Sequence, residues 1–111
     1  MKRISFVGAS LQRIKEFPQA AKHEAGYQLD RVQRGLEPAN YKAMKSIGVG
    51  VKEIRISGFG QYRIIYIVQI KNMVHVLHAF QKKSRRTSQQ DIQQAKQALK
   101  TLNRYSSKES K

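Results

Sequence analysis

Arg55 and Arg63 stand on either side of a short glycine-containing turn. Downstream, four basic residues in five, Lys82, Lys83, Arg85 and Arg86, close the apolar stretch "VLHAF". Cations set this way can hold a phosphate backbone. They can also cleave RNA without a metal. In that reaction the ribose 2′-hydroxyl attacks the adjacent phosphorus, a base takes the 2′ proton, cations stabilise the pentavalent phosphorane, and an acid protonates the leaving 5′-oxygen. Arginine suits the middle role because its planar fork donates two parallel hydrogen bonds to phosphate. Preorganised cations aimed at developing charge usually supply the largest catalytic contribution. Lysine or histidine serves as base or acid once neighbouring positive charge lowers its pKa. The same set also serves plain phosphate binding. Glu53 offers a plainer role for Arg55, as a surface ion-pair partner. Phe80 reads either as core or as a surface on which a base stacks.

Other chemistries find little support. His75 and His78 are three apart on an expected strand and should face opposite sides. His23 has only Glu24 beside it, and there is no cysteine; no metal-ligand spacing results. No pair of carboxylates is spaced for acid–base hydrolysis. Neither a P-loop nor a dinucleotide fingerprint is present, and "GVG" and "GFG" read as turns. No cofactor is expected.

The charge balance supports a polyanionic partner. Lys and Arg total 22 against 7 Asp and Glu, a formal net charge of +15. From Ile54 to Gln90 there is no acidic residue. Such a field favours RNA, DNA, the ribosome or an acidic protein. No run of residues approaches a membrane span or a signal-peptide core, so the expectation is a cytoplasmic protein.

The elements that must position these cations follow from periodicity. "RISFVG" reads as a strand and "ASLQRIKEFP" as a helix with Ser10 as N-cap; Pro18 restarts the helix, which runs to about Gln33 and stops at Gly35. Residues 36–48 read as a connection. "VKEIRIS" alternates, with Val51, Glu53 and Arg55 on one side and Lys52, Ile54 and Ile56 on the other. "QYRIIYIVQI" and "MVHVLHAFQ", linked by a turn at 71–72, complete an antiparallel meander. Ile54, Ile56, Tyr62, Ile64, Tyr66 and Val68 are expected on its core face, which places Arg55 and Arg63 on the opposite one. Val74, Val76, His78 and Phe80 are expected to share a face. "TSQQ" has capping-box form, with Thr87 as N-cap and Gln90 at N3, and opens a final helix with an apolar stripe of Ile92, Ala95, Leu99 and Leu102. The expected fold is α+β, in the order β-α-α-β-β-β-α: an antiparallel meander sheet with helices packed on one face. Residues 1–103 form a single domain, and 104–111 are a polar tail expected to fray.

These residues resemble a known superfamily. The "EIRI" strand, the "YRIIY" strand after a glycine turn, the "HVLHAFQKK" strand end and the final helix start are similar to RelE/ParE toxins. The similarity is greatest to the phage-derived, HigB-like branch and covers residues 3–103. It implies the toxin of a type II toxin–antitoxin pair: a ribosome-dependent endoribonuclease (mRNA interferase) that cuts mRNA by the metal-free reaction above and so inhibits translation. The implied partners are the ribosome with mRNA and a cognate antitoxin, often of helix-turn-helix type. By position, Arg63 matches the phosphate-stabilising arginine. Arg55 matches a basic residue of the general-base cluster, with Lys52 close by, and Lys83 matches a basic residue just beyond the last strand. RelE carries a tyrosine at the start of the last helix. Here Ser88, Gln89 and Gln90 stand in that region, which leaves its role to His78, Lys82 or Arg85. The resulting expectation is a catalytic set of Arg63, Arg55, Lys83 and His78, with Lys45, Lys52, Lys82, Arg85, Arg86 and Phe80 binding RNA. The alternatives are a ParE-like toxin that poisons gyrase without nuclease activity, and a non-catalytic nucleic-acid-binding module.

Overall fold

A computed structural model describes residues 1–58, 60–69 and 72–109, and the side chains through residue 105. Phe59 of the "GFG" turn, Ile70 at the expected end of its strand and Lys71 of the expected 71–72 turn lie outside the described residues. The chain runs β1 (Ile4–Phe6), α1 (Ser10–Lys15), α2 (Gln19–Gln33), β2 (Tyr41–Ala43), β3 (Val51–Ile56), β4 (Tyr62–Gln69), β5 (Met73–Gln81) and α3 (Gln89–Glu109). The five strands form one sheet in the order β1-β5-β4-β3-β2. β3, β4 and β5 are the expected antiparallel meander, and β1 joins β5 in parallel, which makes the sheet mixed. β2 is an addition: the connection through Tyr41–Ala43 pairs with β3 as an exposed edge strand. Three residues are too few to show a period in the sequence. No helix among the described residues is long and apolar enough to cross a membrane.

The central strand explains the layering. From Tyr62 to Ile67 every residue of β4 is buried. An unbroken apolar run of this kind is the mark of a strand covered on both faces. α1 and α2 cover one face, where Ile14, Phe17, Ala21, Ala25, Leu29 and Val32 pack on Ile54, Ile56, Tyr62, Ile64, Tyr66, Val74 and Val76. That is the expected core face. α3 takes the other one: Ala95 is buried against Val51, Ile65, Ile67 and Leu77, with Ile92, Ala98, Leu99 and Leu102 around it. The helices are therefore divided between two faces. The reason is that Ile65, Ile67 and Leu77 would otherwise stand in water, at about 1.5–3 kcal/mol each.

A bulge in β5 sets the faces of its side chains. Ile65 pairs with His78 but Tyr66 pairs with Val76, so Leu77 is the extra residue. The parity of β5 reverses there. Val74 and Val76 point to the α1–α2 core, while His78 and Phe80 lie on the α3 side with their partners Ile65 and Arg63. The expectation that these four share a face fails for this reason. His75 pairs with Ile67 and so takes the same face as His78, not the opposite one. No third ligand joins the two histidines among the described residues.

Candidate active site

The site forms where the α3-side face emerges beyond the first turn of α3. Arg55 and Arg63 are direct cross-strand partners, and Arg63 in turn pairs with Phe80. One step further in, Lys42, Glu53, Ile65 and His78 form the adjoining row across β2, β3, β4 and β5. Two like charges directly opposed on a sheet repel. Here the Glu53 carboxylate lies between them. Its Oε1 is 3.8 Å from Arg55 Nε and 3.6 Å from Arg63 Nε, while Oε2 accepts a 2.8 Å hydrogen bond from the Thr87 hydroxyl. Glu53 is 1% exposed and Arg63 5%. A carboxylate that buried is tolerated only with paired cations and filled hydrogen bonds.

Arg63 is aimed by its neighbours. One Nη donates to the Tyr62 carbonyl at 3.0 Å, and the other to Gln61 Oε1 at 3.2 Å. Both Nε atoms of the arginine pair are buried and lack a hydrogen bond at ordinary length, although each faces Glu53. Burial pulls the Arg63 guanidinium below the usual arginine value; Glu53 opposes this, and the neighbouring Arg55 adds to it. Arg55 keeps one third of its side chain exposed, so the pair presents one anchored and one solvent-facing cation.

Lys82 lies at the edge of this cluster. Its backbone N–H donates to the Gln61 carbonyl at 2.7 Å, which places the residue at the mouth of the β3–β4 turn. Its ammonium is pushed below the ordinary lysine value, first by loss of water and then by Arg63, with smaller contributions of the same sign from Arg55 and Lys42; Glu53 works against them. A lysine depressed by loss of water and by cationic neighbours is a candidate for proton transfer.

His78 has a different environment. It is 2% exposed, its Nε2 lies 2.7 Å from Asp91 Oδ1, and its ring stacks on Phe80 at 5.2 Å. Burial lowers its pKa, and this outweighs the opposing pull of Asp91. The neutral ring therefore donates Nε2–H to Asp91 and fastens β5 to the first turn of α3. Because the folded value lies below the unfolded 6.5, the unfolded chain takes up this proton first. The contribution is full above about pH 7 and is lost as pH falls through the folded value. Urea-unfolding midpoints should therefore drop on acidification from about pH 7.5 to 5.5, and by less in His78→Gln. An equal drop in both proteins would remove His78 from the account.

The start of α3 differs from expectation by one residue, with consequences for the site. Ser88, not Thr87, caps the helix: its Oγ accepts from the Asp91 N–H at 3.1 Å and donates to Asp91 Oδ2 at 2.7 Å. Thr87 is thereby released to bind Glu53. At the other end of the fold, Ser10 is likewise no cap, since it lies inside α1 and donates to the Val76 carbonyl at 3.2 Å. Ser88→Ala should cost about 1 kcal/mol in chemical unfolding. Thr87→Val leaves the cap intact and should act instead through the arginine pair.

The expected site residues divide as follows. Arg55, Arg63, Lys82 and Phe80 come together. Phe80 is 7% exposed, which closes it to base stacking and makes it the apolar neighbour of Arg63 on β5. Lys83 alternates away from Lys82 and lines a cleft with Arg13, Phe17 and Tyr62, as well as a smaller one with Lys82, Arg86 and Asp91. Arg85 and Arg86 are exposed on the loop, where the Ser84 hydroxyl donates to the Arg86 carbonyl at 2.7 Å. Lys52 faces the other side of the sheet; it pairs with Glu37 at 3.0 Å and lies 5.0 Å from the Tyr41 ring centroid. Strand alternation separates it from Arg55. Lys45 lies beyond the opposite end of β3, four residues of strand from Arg55, or about 13 Å. Sequence reasoning missed Lys42, Gln61 and Thr87, and it treated Glu53 only as a surface partner. One signal was available: Glu53 alternates onto the Arg55 face, where no second acid competes.

The fold is that of a RelE-like α+β domain. The family model for phage-derived Gp49-like proteins matches residues 12–100, and the chain belongs to this RelE-like toxin family. No curated protein matches the chain.

Proposed function

We propose that the protein is the toxin of a type II toxin–antitoxin pair, of the HigB-like branch, and that it cleaves ribosome-bound mRNA. The observation that carries this reading is the Arg55–Arg63 pair, locked in register by a buried Glu53 and flanked by Lys82 and Lys42. A scissile phosphate set over the pair meets the exposed Arg55 first, with the anchored Arg63 guanidinium beside it across the ladder. The 2′-oxygen attacks phosphorus, the P–O5′ bond breaks, and a 2′,3′-cyclic phosphate and a 5′-hydroxyl result. Lys82, with its lowered pKa, is the group suited to take or return the proton. Glu53, enclosed by two cations and Thr87, orients the arginines and leaves proton transfer to others. The cationic face also suits an acidic, helix-turn-helix antitoxin that covers it.

Brief induction followed by mapping of mRNA 5′ ends tests the reading. New 5′-hydroxyl ends within coding sequence are expected from the wild type and not from an Arg63 variant. Intact mRNA together with an SOS response would instead identify a gyrase-directed toxin. Intact mRNA without growth arrest would leave a nucleic-acid-binding module.

A further inference from the structure

A second cationic cleft lies at the other end of the sheet. It has a volume of about 810 Å³ and is formed where β1 begins, α2 ends and the β4–β5 turn returns. Lys2, Arg3, Gln33, Arg34 and Asn72 line it together with Met1 and Met73, and no carboxylate does among the described residues. The cleft is a built part of the fold. The Lys2 N–H donates to the Gln33 carbonyl at 2.8 Å, Gln33 Nε2 donates to the Lys2 carbonyl at 3.0 Å, and the Val74 N–H donates to the Arg3 carbonyl at 2.9 Å. The segment of Lys2 and Arg3, which leads into β1, is thus fixed against both α2 and β5. Arg34 spends its Nε on Asp30 at 2.8 Å, which leaves its two Nη groups as donors. Asn72, in the left-handed region at φ 56°, turns back at the cleft's edge.

From Met73 at this cleft to Phe80 beside Arg63 is seven strand residues, on the order of 23 Å. No single phosphate reaches both. We propose that this cleft is a second, separate binding site for the phosphate backbone of RNA. Its lining of guanidinium, ammonium and amide donors, with Met1 and Met73 at its margin and no aromatic side chain among the described residues, is suited to sequence-independent backbone contact. A protein partner's docking site would be expected to offer a central apolar or aromatic anchor. The proposal does not depend on cleavage: RNA held here would orient the molecule on a larger RNA whether or not the arginine pair cuts.

The test uses the full chain and a fluorescein-labelled 2′-O-methyl RNA of about 24 nucleotides, which lacks the attacking hydroxyl. Affinity is read by anisotropy across salt concentrations. Lys2→Gln with Arg3→Glu should weaken binding at least tenfold at about 100 mM salt and reduce the salt slope by about 1.4, at ~0.7 per lost single-strand contact. Arg3→Glu alone, at an exposed side chain, should give about half that slope change and guards against misfolding of the pair. Unchanged affinity and slope overturn the proposal, including when accompanied by weaker binding of polyglutamate, which would mark a surface for acidic protein. Cleavage of a 2′-hydroxyl substrate by the same variants is measured in parallel. Cutting retained with binding lost separates this cleft from the arginine site, and loss of cutting in Arg63 variants alone bears only on the latter.

Discussion

Arg63→Ala is expected to lower mRNA cleavage by about two to three orders of magnitude, the usual effect of removing one preorganised donor from a developing anion. Arg63 is the anchored half of the cationic pair: it is buried, aimed by Tyr62 and Gln61, and set against Glu53. Arg63→Lys keeps the charge but loses the planar fork. It should recover part of the activity and remain at least about tenfold below wild type. Arg55→Ala removes the more exposed cation and should cost less. The measurement is cleavage per folded molecule, with purified protein on ribosomes carrying a defined mRNA and with thermal unfolding recorded for each variant. Wild-type cutting by a folded Arg63→Ala protein would show that the chemistry lies elsewhere.

The largest effect on stability is expected at Glu53. Glu53→Leu leaves two guanidiniums opposed across the β3–β4 ladder and the Thr87 hydroxyl without its acceptor. Removal of one partner from a buried ion cluster typically costs about 3–5 kcal/mol. A 111-residue domain has roughly 5–15 kcal/mol in total, so this variant should unfold at markedly lower urea. The double variant Glu53→Leu with Arg63→Met replaces buried charge by packed apolar groups and should recover much of that loss while remaining inactive. Its urea midpoint, compared with both single variants, measures the coupling directly. Additive effects would mean that Glu53 and Arg63 do not support one another. Recovery of stability together with cleavage would remove Arg63 from the chemistry.

Much of this arrangement could be read from residue types. The alternation of "VKEIRIS" placed Arg55 on the face away from Ile54 and Ile56, and the two faces fall as expected. The run "YRIIYIV" announced a strand, and the turn before it brought Arg63 opposite Arg55. The cap of α3 was legible to within one residue, because Thr87 and Ser88 are both good caps and local chemistry alone does not rank them.

The sequence by itself determined the meander, its cationic surface and the facing arginines, because strand alternation and short turns are local rules with a period of two residues. Only the tertiary structure decided which lysines join them. The bulge at Leu77 reversed the parity of β5, so that Phe80 lies beside Arg63 and His78 goes under α3. Alternation beyond the strand end put Lys82, not Lys83, against the arginines, and β2 brought Lys42 to the same face. α3 crossed to the far side of the sheet because Ile65, Ile67 and Leu77 needed cover there, and this carried Thr87 onto Glu53. An extra residue in a ladder and the burial of a second face are long-range effects. They depend on what each strand meets, and no period within a strand encodes them.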